Sequence, residues 1–356
     1  MEKEEGKSKG KKKYIISIIF LIALIVITFF VIFLKYDIKE LVRVIQTVEA
    51  KWLFLAIGMI LIYIFFEGLA MRHIFKSMNV DVSITNNFMY SAIDYYFCAV
   101  TPSASGGQPM VAYYMAKDDI SLSQVSLTLI INTALFKIVL IILSIISVIF
   151  CSSLLFQFPI MITLFIVGII INVVLIALCF LMTFKRSWIQ KVGLRLIFWG
   201  YHHKLVKKPY DWARRFVHKM DEYERGAILI HRNRLKFVLA LLCNLIQRVA
   251  FFSIGYFVFL AFKDSYAIAD FGYIELFAIQ VSVALCVDSL PLPGGVGISE
   301  YLYVLLFGLV YNVGQTNVVG SAMLLTRAVN FYIPLIFTFI IVLIKHSLTM
   351  RHKTKE

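Results

Sequence analysis

The chain has 356 residues, of which 60% are hydrophobic and only 16% charged, and its mean hydropathy is +0.84. A soluble domain carries about a quarter of its residues as charges, so this composition excludes an ordinary soluble protein and points to a chain lying largely in a bilayer. The formal charge of +14 gathers at the two ends and in one loop, which records membrane topology and argues against a nucleic-acid-binding surface.

Residues 1–13 end in Lys11, Lys12 and Lys13, and the apolar run Tyr14–Leu34 follows. The basic start resembles a secretory signal. However, an apolar run of about 20 residues is too long for one, and no small-residue cleavage site follows. It reads as a retained first span with its basic end in the cytoplasm. Further uninterrupted runs long enough to cross about 30 Å of hydrocarbon are Trp52–Ala70, Gln124–Phe150, Phe158–Phe184, Phe237–Phe262 and Val318–Ile344.

Two stretches break this pattern. "AVTPSASGGQPMVAYYM" starts at Ala99 in the first half, and "VDSLPLPGGVGISEYLYV" starts at Val287 in the second. Lys and Arg set the parity of the spans around them. The loop 185–236 is dense in both, and the tail 345–356 carries Lys345, Arg351, Lys353 and Lys355, so both are cytoplasmic. Everything from Asn86 to Lys117 must then begin and end inside, and everything from Tyr273 to Val313 must begin and end outside. Each interrupted segment is a hairpin, and the two enter from opposite faces. The legs of the first are short for full spans at about 1.5 Å per residue, which favours re-entrant hairpins that meet near the midplane.

Residues 52–150 with hairpin 86–117, and residues 237–344 with hairpin 273–313, therefore form a pair of inverted-topology repeats separated by the span 158–184. Paired Gly/Pro-interrupted segments in corresponding positions point to a transporter's binding site. Broken backbone is tolerated at that depth only where protein buries it or it lines a wet cavity. Pro102, Ser105, Gly106 and Gly107 make the first break; Pro293, Gly294, Gly295 and Gly297 make the second. Ser103 and Ser105 are candidate caps for a helix starting near Gln108, and a helix near Val296 or Gly297 would follow the second break. Two such N-termini aimed at one cavity would offer N–H groups and positive dipole ends to an anion; the competing reading is tight turns needed only for packing.

Charges inside the spans bear on that choice. Lys137 lies near the middle of its run and Arg327 inside the last one, at similar distances beyond each Gly-Gly pair. Arg248 shares a polar helical face with Asn244 and Gln247 at i, i+3, i+4 spacing. Each such charge costs at least about 2.5–3.5 kcal/mol on insertion scales, so it faces a cavity and partners something. Glu67, Asp94, Asp288 and Glu300 are available carboxylates. They would either pair with the cations and merely hold helices together, or leave the cations to a phosphate while they meet an ammonium or carry a coupling proton. Asn132 and Asn330 could bond a head group or serve as helix–helix glue. Tyr90, Tyr95, Tyr96, Tyr113 and Tyr114 line the first hairpin.

The loop 185–236 places Trp188, Val192, Leu196 and Trp199, then Trp212, Phe216, Met220 and Tyr223, at helical spacing among basic residues. These read as amphipathic helices on the inner leaflet, or as a plain covering of the cytoplasmic end. Cys98, Cys151, Cys179, Cys243 and Cys286 lie in or beside apolar runs without a CxxC, which makes them reduced core residues. The histidines show no metal-ligand spacing, and no Walker motif, HExxH or GxSxG occurs. Neither a metal site, a cofactor nor a catalytic residue is expected.

The segments "YSAIDYYFCAVTPSASGGQPMVAYYM" and "DSLPLPGGVGISEYLY" resemble the two signature segments of the lysylphosphatidylglycerol synthase transmembrane-region family, the flippase-like membrane part of multiple peptide resistance factors. The resemblance runs from the second span to the last. It implies functional weight at Pro102, Gly106, Gly107, Pro293, Gly294, Gly295, Gly297 and Glu300, and with them Asp94 and Arg327. Members with a C-terminal soluble domain transfer lysine from lysyl-tRNA to phosphatidylglycerol, and the membrane part moves the product outward, which repels cationic antimicrobial peptides. Only about a dozen residues follow Ile344 here, so synthesis is expected to need a separate lipid-modifying enzyme.

The expectation is an all-α polytopic cell-membrane protein with both termini cytoplasmic. It has about six full spans plus two re-entrant or broken helical hairpins in inverted-topology repeats. Its expected function is translocation of a polar-headed phospholipid, such as lysylphosphatidylglycerol or another anionic lipid. Lys137, Arg248, Arg327, Asp94, Asp288, Glu300 and Asn132 would line the path, and the lipid would be the partner. Phosphatidylglycerol lysyltransferase is one alternative, and a small-solute or ion transporter is another.

Overall fold

The computed structural model describes residue 46 and residues 48–101, 104–203, 209–263, 271–288, 298–310 and 316–352. The first expected span, 14–34, lies outside the described residues, as do Pro102, Ser103 and the second break with Pro293, Gly294, Gly295 and Gly297. Among the described residues the chain is helical throughout, with no strand.

The helices in chain order are α1 (Ala50–Ser77), α2 (Ile84–Val100), α3 (Gly107–Lys117), α4 (Leu122–Leu155), α5 (Pro159–Phe184) and α6 (Arg186–His202). They continue with α7 (Pro209–Arg232), α8 (Arg234–Lys263), α9 (Tyr273–Asp288), α10 (Ile298–Val310), α11 (Thr316–Arg327) and α12 (Ile333–His352); a π-helical turn, Ala328–Tyr332, joins the last two. α1, α4, α5, α8 and the continuous segment Val319–Met350 are long and apolar enough to cross a membrane. The protein is thus an all-α polytopic membrane protein, as its composition requires.

Local chemistry sets the ends of these helices. Ser83 caps α2 by accepting the Asn86 N–H at 3.1 Å, and Ser121 caps α4 by accepting the Gln124 N–H. Pro159 opens α5, where its missing N–H costs nothing. Asn79 and Asp119, with φ of 59° and 63°, turn the chain out of α1 and α3 in the left-handed region these residues tolerate.

α1 and α8 form the largest helix–helix contact, and they run antiparallel. The Glu49 N–H reaches the Ala261 carbonyl at 3.2 Å, Trp52 stacks on Phe257, and Tyr63 packs on Phe251. As numbers rise on α1 they fall on α8, which is the relation expected between the leading helices of two inverted repeats. The hairpins then cross over. α2 packs on α1 and on the final helix α12, while α9 packs on α8 and on α4. The first leg of each hairpin thus sits between the first helix of its own repeat and the last helix of the other.

Close crossings need small residues. A Cβ at Gly68 would come 2.7 Å from the Asn87 carbonyl oxygen on α2, and one at Gly168 would come 2.8 Å from the Leu285 carbonyl oxygen on α9. The start and end of the first hairpin lie together beside the end of α12: Lys345 Nζ contacts Asp118 Oδ2 at 2.5 Å and Asn86 Oδ1 at 3.3 Å. Tyr90 also donates to Asp118. Lys345, which the sequence reading assigns to a tail, is therefore a buried residue within a helix that continues to His352. An apolar run ends at the first charge, but a helix does not when that charge finds a partner.

The basic loop is two helices. On α7, Met220, Tyr223, Ala227 and Ile230 are buried against the bundle, and the Tyr223 hydroxyl donates to the Met182 carbonyl. On α6, Trp188, Leu196 and Trp199 remain exposed.

Candidate functional site

A cavity of about 520 Å³ opens between the two repeats. Six of the seven side chains expected along the path line it, Asp94, Asn132, Lys137, Arg248, Asp288 and Arg327, and Glu67, Tyr95 and Asn330 join them. The six come from α2, α4, α8, α9 and the end of α11, so both repeats contribute. Glu300 lies in the first turn of α10, but its side chain is outside those described. Pro102 and the glycines and proline of the second break are outside as well.

The first break has a defined geometry. The helix after it starts at Gly107, and its N-cap is Gly106, which has no side chain to cap with. Of the two serines expected as caps, Ser103 lies outside the described residues; Thr101 Oγ1 accepts the Gly106 N–H at 2.9 Å. The Gly106 N–H is thereby spent on the protein itself. The Cys98 thiol donates to the Ala104 carbonyl at 3.4 Å. Ala104 holds a φ of 51° at the tip, a conformation that strains a residue with a Cβ. Ser105 is exposed beside it. Gly107 is needed for space, because a Cβ there would strike Asp94 Oδ1 and Cys98 Sγ.

The cations of the cavity are treated differently from one another. Lys137 forms an ion pair with Asp288, joining α4 of the first repeat to the end of α9 in the second. Arg248 is only 6% exposed, and its guanidinium lies over the Phe136 ring at 3.2 Å. Its Nε has no hydrogen-bond partner among the described residues. A buried guanidinium held by an aromatic face rather than a carboxylate keeps its donors for another group.

Carboxyls gather on the other wall. Glu67 of α1 is buried, accepts the Ser91 hydroxyl at 3.0 Å, and lies within hydrogen-bonding reach of Asp94 on α2. Asp94 Oδ1 is buried without a partner. Asn132 is held by Asn244 Nδ2 at 3.2 Å, so the polar face expected on α8 does reach α4. The carbonyl of Asn330 is free of the helix ladder because Pro334, four residues on, has no N–H. The π turn closes there by an Ile333 N–H to Ala328 carbonyl bond, and the Tyr95 hydroxyl donates to the freed Asn330 oxygen. π turns of this kind recur at functional sites.

Sequence reasoning does not single out Phe136, Gln108 or Thr133, which also line the cavity. Phe136 is one aromatic among 31 phenylalanines, and nothing local marks it as the platform for Arg248. Gln108 Nε2 donates to Thr133 Oγ1 at 2.7 Å, and the proximity of Gln108 to the break is the one signal that could have found it.

Helices α2 and α9, exchanged between two antiparallel halves, with charges from both halves on one cavity, define a polytopic membrane protein with a polar chamber inside its helical bundle. The chain belongs to the lysylphosphatidylglycerol synthase transmembrane-region family, whose profile matches residues 15–337. No curated protein matches the chain. The family match and the apolar helices place the protein in a membrane, in a family tied to membrane lipid.

Proposed function

We propose that this protein moves a polar-headed phospholipid between leaflets, with both termini and the face bearing Lys345 and Asp118 in the cytoplasm. The observation that carries the reading is the convergence of Lys137, Arg248, Arg327, Asp94, Asp288 and Asn132 from both repeats on one cavity. A lipid phosphate would sit at Arg248, whose Nε is without a partner among the described residues, while the acyl chains stay in the bilayer. Rocking of the two repeats about α1 and α8 would give the head group access to each side in turn.

The family name also contains lysine transfer, and a separate enzyme would supply a lysylated lipid if the head group carries one. Purified protein in liposomes should speed the transbilayer movement of labelled phosphatidylglycerol or its lysyl ester, and Arg248→Gln should lower that rate at least tenfold. Equal rates with and without protein for every lipid tested would end the translocator reading. Formation of lysylphosphatidylglycerol from lysyl-tRNA by the purified chain would replace it with the transferase.

A further inference from the structure

The head-group reading uses Arg248 and leaves Glu67 and Asp94 without a task. Their arrangement is unusual for buried acids beside a buried cation. Glu67 is 7% exposed and Arg248 6%, and the two are close enough to interact. Neither carboxyl forms an ion pair with Arg248 among the described residues. The guanidinium instead lies on Phe136, with Nε unpartnered, and the carboxyls face each other. Two buried carboxyls side by side repel each other when both are ionised, which favours a proton between them.

The surroundings favour a site that exchanges this proton rather than a fixed one. Asp94 Oδ1 is left without a partner, and Gly107 lacks the Cβ that would strike it. The other titratable groups facing the pair are Tyr63 on α1, Tyr95 and Cys98 on α2, Arg248 on α8 and Arg327 on α11. Lys137 of α4 and Asp288 of α9, across the cavity, neutralise each other. An anion arriving on Arg248 adds negative charge beside the pair in a poorly hydrated place, and that raises the affinity of the pair for a further proton.

We infer that the Glu67–Asp94 pair is a proton-binding site linked to anion binding at Arg248, so that each anionic head group taken into the cavity brings a proton with it. The proton comes from water on the side to which the cavity is open and leaves with the head group on the other side. No bond other than O–H forms or breaks. The inference rests on the head-group reading of Arg248. By linkage, proton uptake on binding means that anion affinity rises as pH falls, and that a bound anion raises proton affinity equally.

The test is calorimetric titration of the detergent-solubilised full chain with dioctanoylphosphatidylglycerol, in two buffers of different ionisation enthalpy. The expected result is uptake of a substantial fraction of a proton, up to one, per lipid bound. Affinity should rise up to tenfold for each pH unit lowered. Asp94→Asn and Glu67→Gln, made separately so that one misfolded variant does not decide the matter, should each bring the uptake close to zero. Lipid binding without proton uptake by the unaltered protein would overturn this inference and leave the head-group reading intact. Loss of binding of the lysylated lipid alone in Asp94→Asn, with proton uptake on phosphatidylglycerol unchanged, would also overturn it and make the pair an ammonium receptor. No binding of any anionic lipid by the unaltered protein would sink the head-group reading itself.

Discussion

Lys137 and Asp288 are ion-paired across the line where the two repeats meet, one near the middle of α4 and the other at the last residue of α9. Their side chains are 11% and 22% exposed, so removing one partner strands the other where water reaches it poorly. Breaking a buried pair typically costs about 3–5 kcal/mol, whereas replacing both partners by apolar groups is often neutral. The partial exposure of Asp288 puts the expected cost near the lower end. Lys137→Met and Asp288→Leu should each lower the unfolding temperature in detergent, and the double replacement should recover most of the loss. If the pair also moves apart during transport, the double variant stays stable but moves lipid slowly. Additive destabilisation in the double variant would show that the two side chains do not act as a pair.

Pro334 and Tyr95 make a second prediction, in which stability and activity separate. Pro334→Ala supplies the N–H that the Asn330 carbonyl lacks, so the helix ladder can compete with the Tyr95 hydroxyl for that oxygen. The helix should become as stable or more so, while α2 loses its tie to the final span. Tyr95→Phe removes the same tie without repairing the helix, at about 1 kcal/mol. Both variants should slow lipid movement in liposomes by a similar factor, and only Tyr95→Phe should lower the unfolding temperature. Unchanged transport in both would reduce the π turn to local packing.

The long helices were legible because a bilayer imposes one rule on a long stretch of chain: apolar side chains with every backbone group satisfied internally. The charged residues of the cavity were legible for the converse reason, since Lys137, Arg248 and Arg327 each interrupt an apolar run at a cost that demands an explanation. What the sequence hid is pairing over distance. Lys345 and Asp118 lie 227 residues apart, and nothing near either predicts the contact. The part Thr101 plays at the first break was not foreseen, because it reaches the Gly106 N–H from the end of the preceding helix, whereas capping rules look to the residue at the helix start. The platform role of Phe136 has no local signature at all.

Helix proximity offers a prediction with an internal control. At Gly68 a Cβ would lie 2.7 Å from the Asn87 carbonyl oxygen and 3.0 Å from the Phe88 nitrogen, all backbone that cannot swing aside. At Gly58, ten residues earlier on the same helix, a Cβ meets nothing within 4 Å. Gly68→Ala should push α1 and α2 apart and cost about 1–3 kcal/mol, the usual range for overpacking. Gly58→Ala should be neutral or stabilising by up to about 1 kcal/mol, because it replaces glycine in a helix interior. Thermal unfolding of the two variants side by side checks both. Equal stability of the two would mean that α1 and α2 do not meet in backbone contact at this crossing.

The last prediction concerns the exposed aromatics of α6. Trp188 is 39% exposed, Trp199 56% and Leu196 62%, and they recur at helical spacing beside Lys185, Lys191 and Arg195. The helix follows α5 directly, after the single residue Lys185, so the end of a membrane-crossing helix delivers it to the bilayer surface. An amphipathic helix with tryptophans on one face and basic residues nearby lies in the interface, its rings at head-group level and its cations toward anionic lipid. Among the four tryptophans, variants that keep only Trp188 or only Trp199 can be compared in vesicles containing lipids brominated at shallow or deep acyl positions. Shallow bromines should quench both strongly and deep ones weakly, and raising the share of phosphatidylglycerol should strengthen the shallow effect. Quenching by an aqueous quencher such as iodide, with none from bromine at either depth, would place α6 off the membrane and leave its apolar face to a protein partner.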